Sequence, residues 1–157
     1  PTDKAKAENP SNAKQIEWAL EALEKIDPIE YLMFKKGERG VRDESVPFTE
    51  NEKKILAWNL YHEARGETQA GKMGVLLSTL KRMKSGKYQS TAEGAVLQDS
   101  QHSWTRKIIS DQENGVDKKI NLQSYLELRK IVDNFTQKEF RLSENIQLLE
   151  SAILQTE

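Results

Sequence analysis

Apolar residues return along this chain at helical intervals in several separate stretches. Met73, Leu76, Leu77, Leu80 and Met83 recur at i, i+3, i+4, i+7 and i+10, the strongest amphipathic stripe in the sequence. The stripe predicts a helix from about Gln69 to Lys84, capped by Thr68 and stopped by Ser85-Gly86-Lys87. Both methionines read as core filler rather than as ligands. Gly71 and Gly74 inside this helix each cost about 1 kcal/mol relative to Ala, which implies close approach of another backbone. Ile16, Ala19, Leu20, Leu23 and Ile26 mark a second stripe over Asn12 to Ile26, and Asp27-Pro28 ends it. Trp18 lies off that stripe and would either meet a second surface or stay partly exposed. Tyr125, Leu128, Val132 and Phe135 share one face of a helix from Asn121 to Phe135. Leu142, Ile146, Leu149 and Ile153 repeat at 4, 3, 4, a heptad-like seam. Two heptads suit an ordinary packing helix better than a free-standing coiled coil.

Capping and turn chemistry fills in the rest. Thr49-Glu50-Asn51-Glu52 is a capping box, and Leu56, Leu60 and Glu63 follow on one stripe at i, i+4 and i+7. Ser90-Thr91-Ala92-Glu93 has the pattern of another capping box, opening a short helix to about Leu97. Lys35 to Pro47 holds Gly37, Gly40, Pro47 and many charges, which is loop composition and sets a boundary. Gln98 to Trp104 reads as extended or looped, and Asn114-Gly115 signals a turn. Any small β-hairpin falls between 98 and 118. The expected class is therefore mainly α, with at most that hairpin. The expected divisions are 1–46, a polar tail and helical extension; 47–136, the central domain; and 137–157, a C-terminal helix.

Composition narrows the function without naming it. A chain of 157 residues, 36% hydrophobic and 31% charged, can bury a core of its own. Its formal net charge of −1 argues against a nucleic-acid partner, which normally meets a basic stripe. No apolar run approaches the ~20 residues of a membrane span. Cysteine is absent, so thiolate chemistry and disulfides are excluded. No cofactor is expected.

A carboxylate on an apolar stripe is unusual, because burial disfavours the charged form. Glu63 at the end of its helix, before Gly66, would face a cleft as a candidate acid. The alternative is that Glu63 turns outward, or pairs with Arg65 or a remote lysine. His62-Glu63 invites comparison with a zinc-protease motif, but Gly66 stands where the second ligand would be. His102 is the other of two histidines, so a metal site is not expected.

Tyr61-His62-Glu63-Ala64-Arg65-Gly66-Glu67 resembles the signature of the SleB-type cell-wall hydrolases, the family of the spore-cortex-lytic enzymes. The resemblance continues through Gly71, the Met73 to Met83 helix and Gln101-His102-Ser103-Trp104, over roughly residues 52 to 132. It implies a lysozyme-like helical domain that cleaves the MurNAc-GlcNAc β-1,4 bond of peptidoglycan glycan strands. A single Glu, here Glu63, would protonate the bridging oxygen. It would then act as a base while the sugar's own C6 hydroxyl attacks C1. Such an acid must stay neutral near working pH, which an apolar recess favours. Glu67 is the nearby carboxyl that could act as a second one, or it is structural. Gln101, Ser103 and Trp104 would contact saccharide through amide, hydroxyl and indole, or Trp104 would anchor a loop. Tyr61 would line the same cleft or simply pack.

Two departures from the family stand out. Lys81-Arg82 replaces the usual Asn-Arg pair, and Glu139 to Glu157 lacks the family's His-Tyr segment and Pro-x-Trp. One wall of the cleft is then missing or differently built. The N-terminus is polar and carries no apolar leader, so either a leader was removed from a longer bacterial precursor or, as the favoured expectation, the protein is made in a bacterial host cytoplasm and acts at the cell wall as a phage lysin or virion component. The rival expectation is a structural virion-associated protein that keeps the fold and acts through its flanking helices. Helices 12–26 and 142–153 would then meet other virion proteins or a second copy.

Overall fold

The computed structural model describes residues 11–23, 40–97 and 121–136, together with the single positions 147, 150 and 153. The protein is mainly helical, and among the described residues there is no strand. The helices are α1 (Asn12–Leu23), α2 (Glu50–Ala64), α3 (Gln69–Ser85), α4 (Ala92–Leu97) and α5 (Leu122–Phe135). The expected hairpin region and most of the 142–153 seam lie outside the described residues.

Helix α2 is the post around which the others stand, packing against α3, α4 and α5. Ile55, Leu56, Ala57, Leu60, Tyr61 and Ala64 are all buried, and they ring the helix rather than forming one stripe. A helix apolar on most sides belongs inside a fold. Its start is the expected capping box: the Thr49 side chain accepts from the Glu52 amide, and Glu52 accepts from the Thr49 amide. Helix α3 buries Met73, Leu76, Leu77, Leu80 and Met83, the stripe read from the sequence. Thr68 caps it through the Gly71 amide, and Gly86 at φ 81° closes it in the left-handed region that favours glycine. Helix α4 is capped one residue later than the capping-box pattern implies. Thr91 Oγ1 accepts from Gly94, while Glu93 accepts from Asn51 Nδ2 instead of closing a box.

The charged loop before α2 is held far more firmly than its composition suggests. Arg42 is 5% exposed and its guanidinium donates to both oxygens of Glu52, at 2.8 and 3.2 Å. It also donates to the carbonyls of Ser90, Val46 and Pro47, and lies 4.1 Å from the Phe48 ring centre. Glu52 in turn accepts from the Ala92 amide at 2.9 Å. One buried ion pair thus joins the loop, the start of α2 and the start of α4.

Helix α1 is turned over relative to the sequence expectation. Trp18 and Ala22 face inward, whereas Ile16, Leu20 and Leu23 of the apolar stripe are exposed. The reason lies on α5, where α1 docks. Arg129 of α5 is fully buried and needs carboxylates around it, because an unpaired buried charge is costly. Asp133, Glu50 and Glu21 provide them, and Glu21 points the α1 face that carries Trp18 toward α5. The Trp18 ring lies 5.5 Å from the guanidinium. A buried indole together with an ion pair outweighs three aliphatic side chains on the other side.

Arg42→Met should destabilise the protein by about 3 to 5 kcal/mol, the usual cost of orphaning a buried charge. Combined with Glu52→Gln, the loss should fall short of the sum of the single losses by on the order of 1 kcal/mol or more. Urea denaturation of the set measures this, and strict additivity would show that the two groups are not coupled.

Candidate active site

The last two turns of α2 carry the candidate chemistry and a compact aromatic group. Trp58 and His62, one turn apart, stack with ring centres 5.6 Å apart and planes 15° apart. Tyr61 meets both edge-on at 6.0 and 5.2 Å, and Tyr125 of α5 meets Trp58 at 5.9 Å. Trp58 and His62 are half-buried. Their spacing of four residues was readable in the sequence as an i, i+4 pair, although neither Trp58 nor the pairing was singled out there.

Tyr61 packs. Its hydroxyl accepts from the Asn121 amide at 2.9 Å, and Asn121 also caps α5 through Ser124. The Arg65 guanidinium lies 4.6 Å from the Tyr61 ring centre and donates to the Tyr61 carbonyl. Tyr61 therefore ties the end of α2 to the start of α5, and Arg65 packs on Tyr61 within α2.

Glu63 is exposed, not held in an apolar recess. The stripe through Leu56 and Leu60 points toward it, but periodicity sets direction and not cover. At this turn the neighbours bury Tyr61 and Ala64 instead. Helix α2 also ends without help from a left-handed glycine. Arg65 is its right-handed cap residue, and Gly66 does not adopt positive φ. The turn is closed by the Glu67 amide donating to the Ala64 carbonyl at 3.0 Å.

Glu67 is exposed, with its side chain lying over the first turn of α3. A Cβ at Gly71 would come within 3.1 Å of Glu67 Cβ and 3.3 Å of Thr68 Oγ1. The expected close backbone at Gly71 is therefore a close side chain and cap. At Gly74 nothing approaches within 4 Å, so crowding does not account for that glycine. Gln101, Ser103 and Trp104, with His102 among them, lie outside the described residues.

Among the described residues no cluster of His, Asp and Glu could hold a metal ion. Nor, among them, is any helix long and apolar enough to cross a membrane. Comparison with family models, with curated proteins and with solved structures gives no match to this chain. The resemblance carried by residues 61–67 consequently stands on those residues alone.

Tyr61→Phe should leave the Asn121 amide without its acceptor and destabilise the fold by about 1 to 3 kcal/mol. Thermal unfolding measures it, and an unchanged midpoint would show that Tyr61 is no such tie.

Burial pushes the Tyr125 phenol up to about 12, against the pull of the adjacent Arg129 guanidinium. The group keeps its proton longer in the folded chain than in the unfolded one, where it ionises near ~10. Its contribution to stability is therefore complete below pH ~10 and is lost as pH rises toward ~12. Unfolding across that window should be steeper in pH for the wild type than for Tyr125→Phe. Identical slopes would contradict a protected phenol.

Proposed function

We propose that the protein cleaves peptidoglycan glycan strands by lytic transglycosylation, with Glu63 as the acid and then the base. The observation carrying this reading is where the Tyr61 to Glu67 stretch sits. It occupies the end of the helix against which α3, α4 and α5 pack, and the Tyr61 hydroxyl ties that end to Asn121 at the start of α5. There Glu63 is exposed, where a long polymer can lie across it. In the proposed reaction the Glu63 carboxyl gives its proton to the bridging oxygen as the C1–O bond breaks. The carboxylate then takes the proton of the C6 hydroxyl while O6 bonds to C1, leaving a 1,6-anhydro end and no water consumed.

An exposed acid needs its water removed before it acts well. Here the bound glycan itself would supply that cover, helped by Gln101, Ser103 and Trp104 in the roles the resemblance implies. Glu67 and Tyr61 serve the backbone around the acid in this scheme. No metal or cofactor enters it.

A second reading is favoured by a different observation, the exposed apolar face of α1. Under it the protein is a virion-associated structural component that works through its flanking helices and cleaves nothing. Mass spectrometry of purified peptidoglycan after incubation separates the two. Anhydro-muropeptides support the first reading, and an unchanged profile supports the second. Reducing ends would keep Glu63 as an acid but make the enzyme a hydrolase.

Glu63→Gln should lower any such activity by at least ~100-fold, the lower end of general-acid contributions. Because Glu63 is exposed, stability should stay within about 0.5 kcal/mol of wild type. A variant that releases muropeptides at the wild-type rate would rule out Glu63 as the acid.

A further inference from the structure

Three carboxylates share one guanidinium where α1 meets the fold. Arg129 of α5 is fully buried, and it donates through Nε to Asp133, through Nη1 to Glu21 and through Nη2 to Glu50. The three acids stand on α5, α1 and α2 respectively. Two of them need nothing from α1. Asp133 lies one turn along α5 from Arg129, and Glu50 begins α2, which packs on α5. Glu50 is also 60% exposed and has the Lys53 ammonium 3.4 Å away. Arg129 therefore has two partners without α1. Docking adds a third negative charge, Glu21, whose side chain is 22% exposed. Tyr125, which also faces the guanidinium, is buried and keeps its proton. The other charges on α1, Lys14 and Glu17, pair with each other at 3.4 Å. Among the described residues, Arg129 is thus the one cation in an ion pair with Glu21.

We propose that docking of α1 on α5 takes up a proton at Glu21, so that acid tightens this helix onto the fold and rising pH loosens it. One guanidinium cannot neutralise three carboxylates, and crowded carboxylates disfavour one another's ionised form. Burial pushes the Glu21 carboxyl above its ordinary 4.5, Arg129 opposes that rise, and Glu50 and Asp133 add to it. A group raised in this way supports docking in full below pH ~4.5, and the support is lost as pH rises through its docked value. Protonation relieves the crowding yet keeps the contact, because the carbonyl oxygen of the neutral acid still accepts from Arg129. A plain salt bridge behaves oppositely, since acid would break it. The proton comes from solvent, which reaches Glu21 at its exposed edge. Trp18 and Ala22, the buried face of α1, are what the loosening uncovers. None of this depends on whether Glu63 cleaves glycan.

Hydrogen exchange of the full chain, followed by mass spectrometry, reads how often each helix opens. Glu21→Gln keeps the acceptor and fixes the neutral form, and its ratio to wild type cancels the intrinsic pH dependence of exchange. At pH ~4 the α1 amides of the two proteins should exchange alike. By pH ~7 wild-type α1 should exchange at least ~3-fold faster than the variant, while the α2 and α3 amides of the two proteins still agree. Added to both chains, Glu50→Gln removes one crowding charge from an exposed position and should move the midpoint of the ratio to lower pH. A ratio that stays flat from pH ~4 to ~7 overturns the proposal. So does wild-type α1 better protected than the variant at pH ~7, because the ion pair would then outweigh the crowding. A ratio shared equally by α2 and α3 overturns it too, since the change would then be global unfolding rather than release of α1. A midpoint that stays or rises with Glu50→Gln does the same.

Discussion

The Glu52 carboxylate is the point on which the central fold depends. It sits in the first turn of α2 and accepts from the Arg42 guanidinium, the Thr49 amide and the Ala92 amide. A buried ion pair by itself is weak evidence for stability, since desolvating both partners offsets most of their attraction. What makes this one consequential is the number of chain segments it brings together. Without it, the Arg42 loop would lose its anchor and α4 would lose its hold on the start of α2. The backbone reinforces the same junction, with the Arg42 amide donating to the Met83 carbonyl and the Gly40 amide to Tyr88. The charged loop is thereby a strap across the helices.

A second buried cation, Arg129, governs the periphery in the same manner. Fully enclosed, it draws Glu21, Glu50 and Asp133 toward one point and so sets which side of α1 faces inward. The direction of the shift at Glu21 fits this placement. Burial raises its pKa, and the nearby Arg129 only partly opposes that rise. At Glu50 the pKa is lowered, with Lys53, Arg129 and Lys14 together overcoming the opposing effect of burial. Orientation of α1 is thus an electrostatic outcome, and its apolar strip is left on the surface as a consequence.

The candidate site inherits its rigidity from these arrangements and its openness from the end of the packing. Tyr61 is tied to the start of α5, the Glu67 side chain lies over the start of α3, and Glu63 is exposed. A carboxyl so placed is well positioned and poorly shielded.

Local sequence alone determined a good deal here. The Thr49 box, the Thr68 and Asn121 caps, the left-handed stop at Gly86 and the buried faces of α3 and α5 follow from interactions within a few residues. Short-range geometry is the same in any fold, so side chains that meet it can be read in advance. The tertiary structure decided what covers each face. Ile16, Leu20 and Leu23 have the spacing of a core stripe, yet Trp18 went inward because Arg129, more than a hundred residues away, required Glu21 beside it. Arg42 looked like loop charge until its partner was found ten residues along the chain, across a fold in the backbone. Glu63 pointed along an apolar stripe but emerged beyond the helices that bury Leu60. Periodicity states the direction in which a side chain leaves its helix, whereas burial depends on which distant neighbour stands in that direction, and no short window of sequence contains that neighbour.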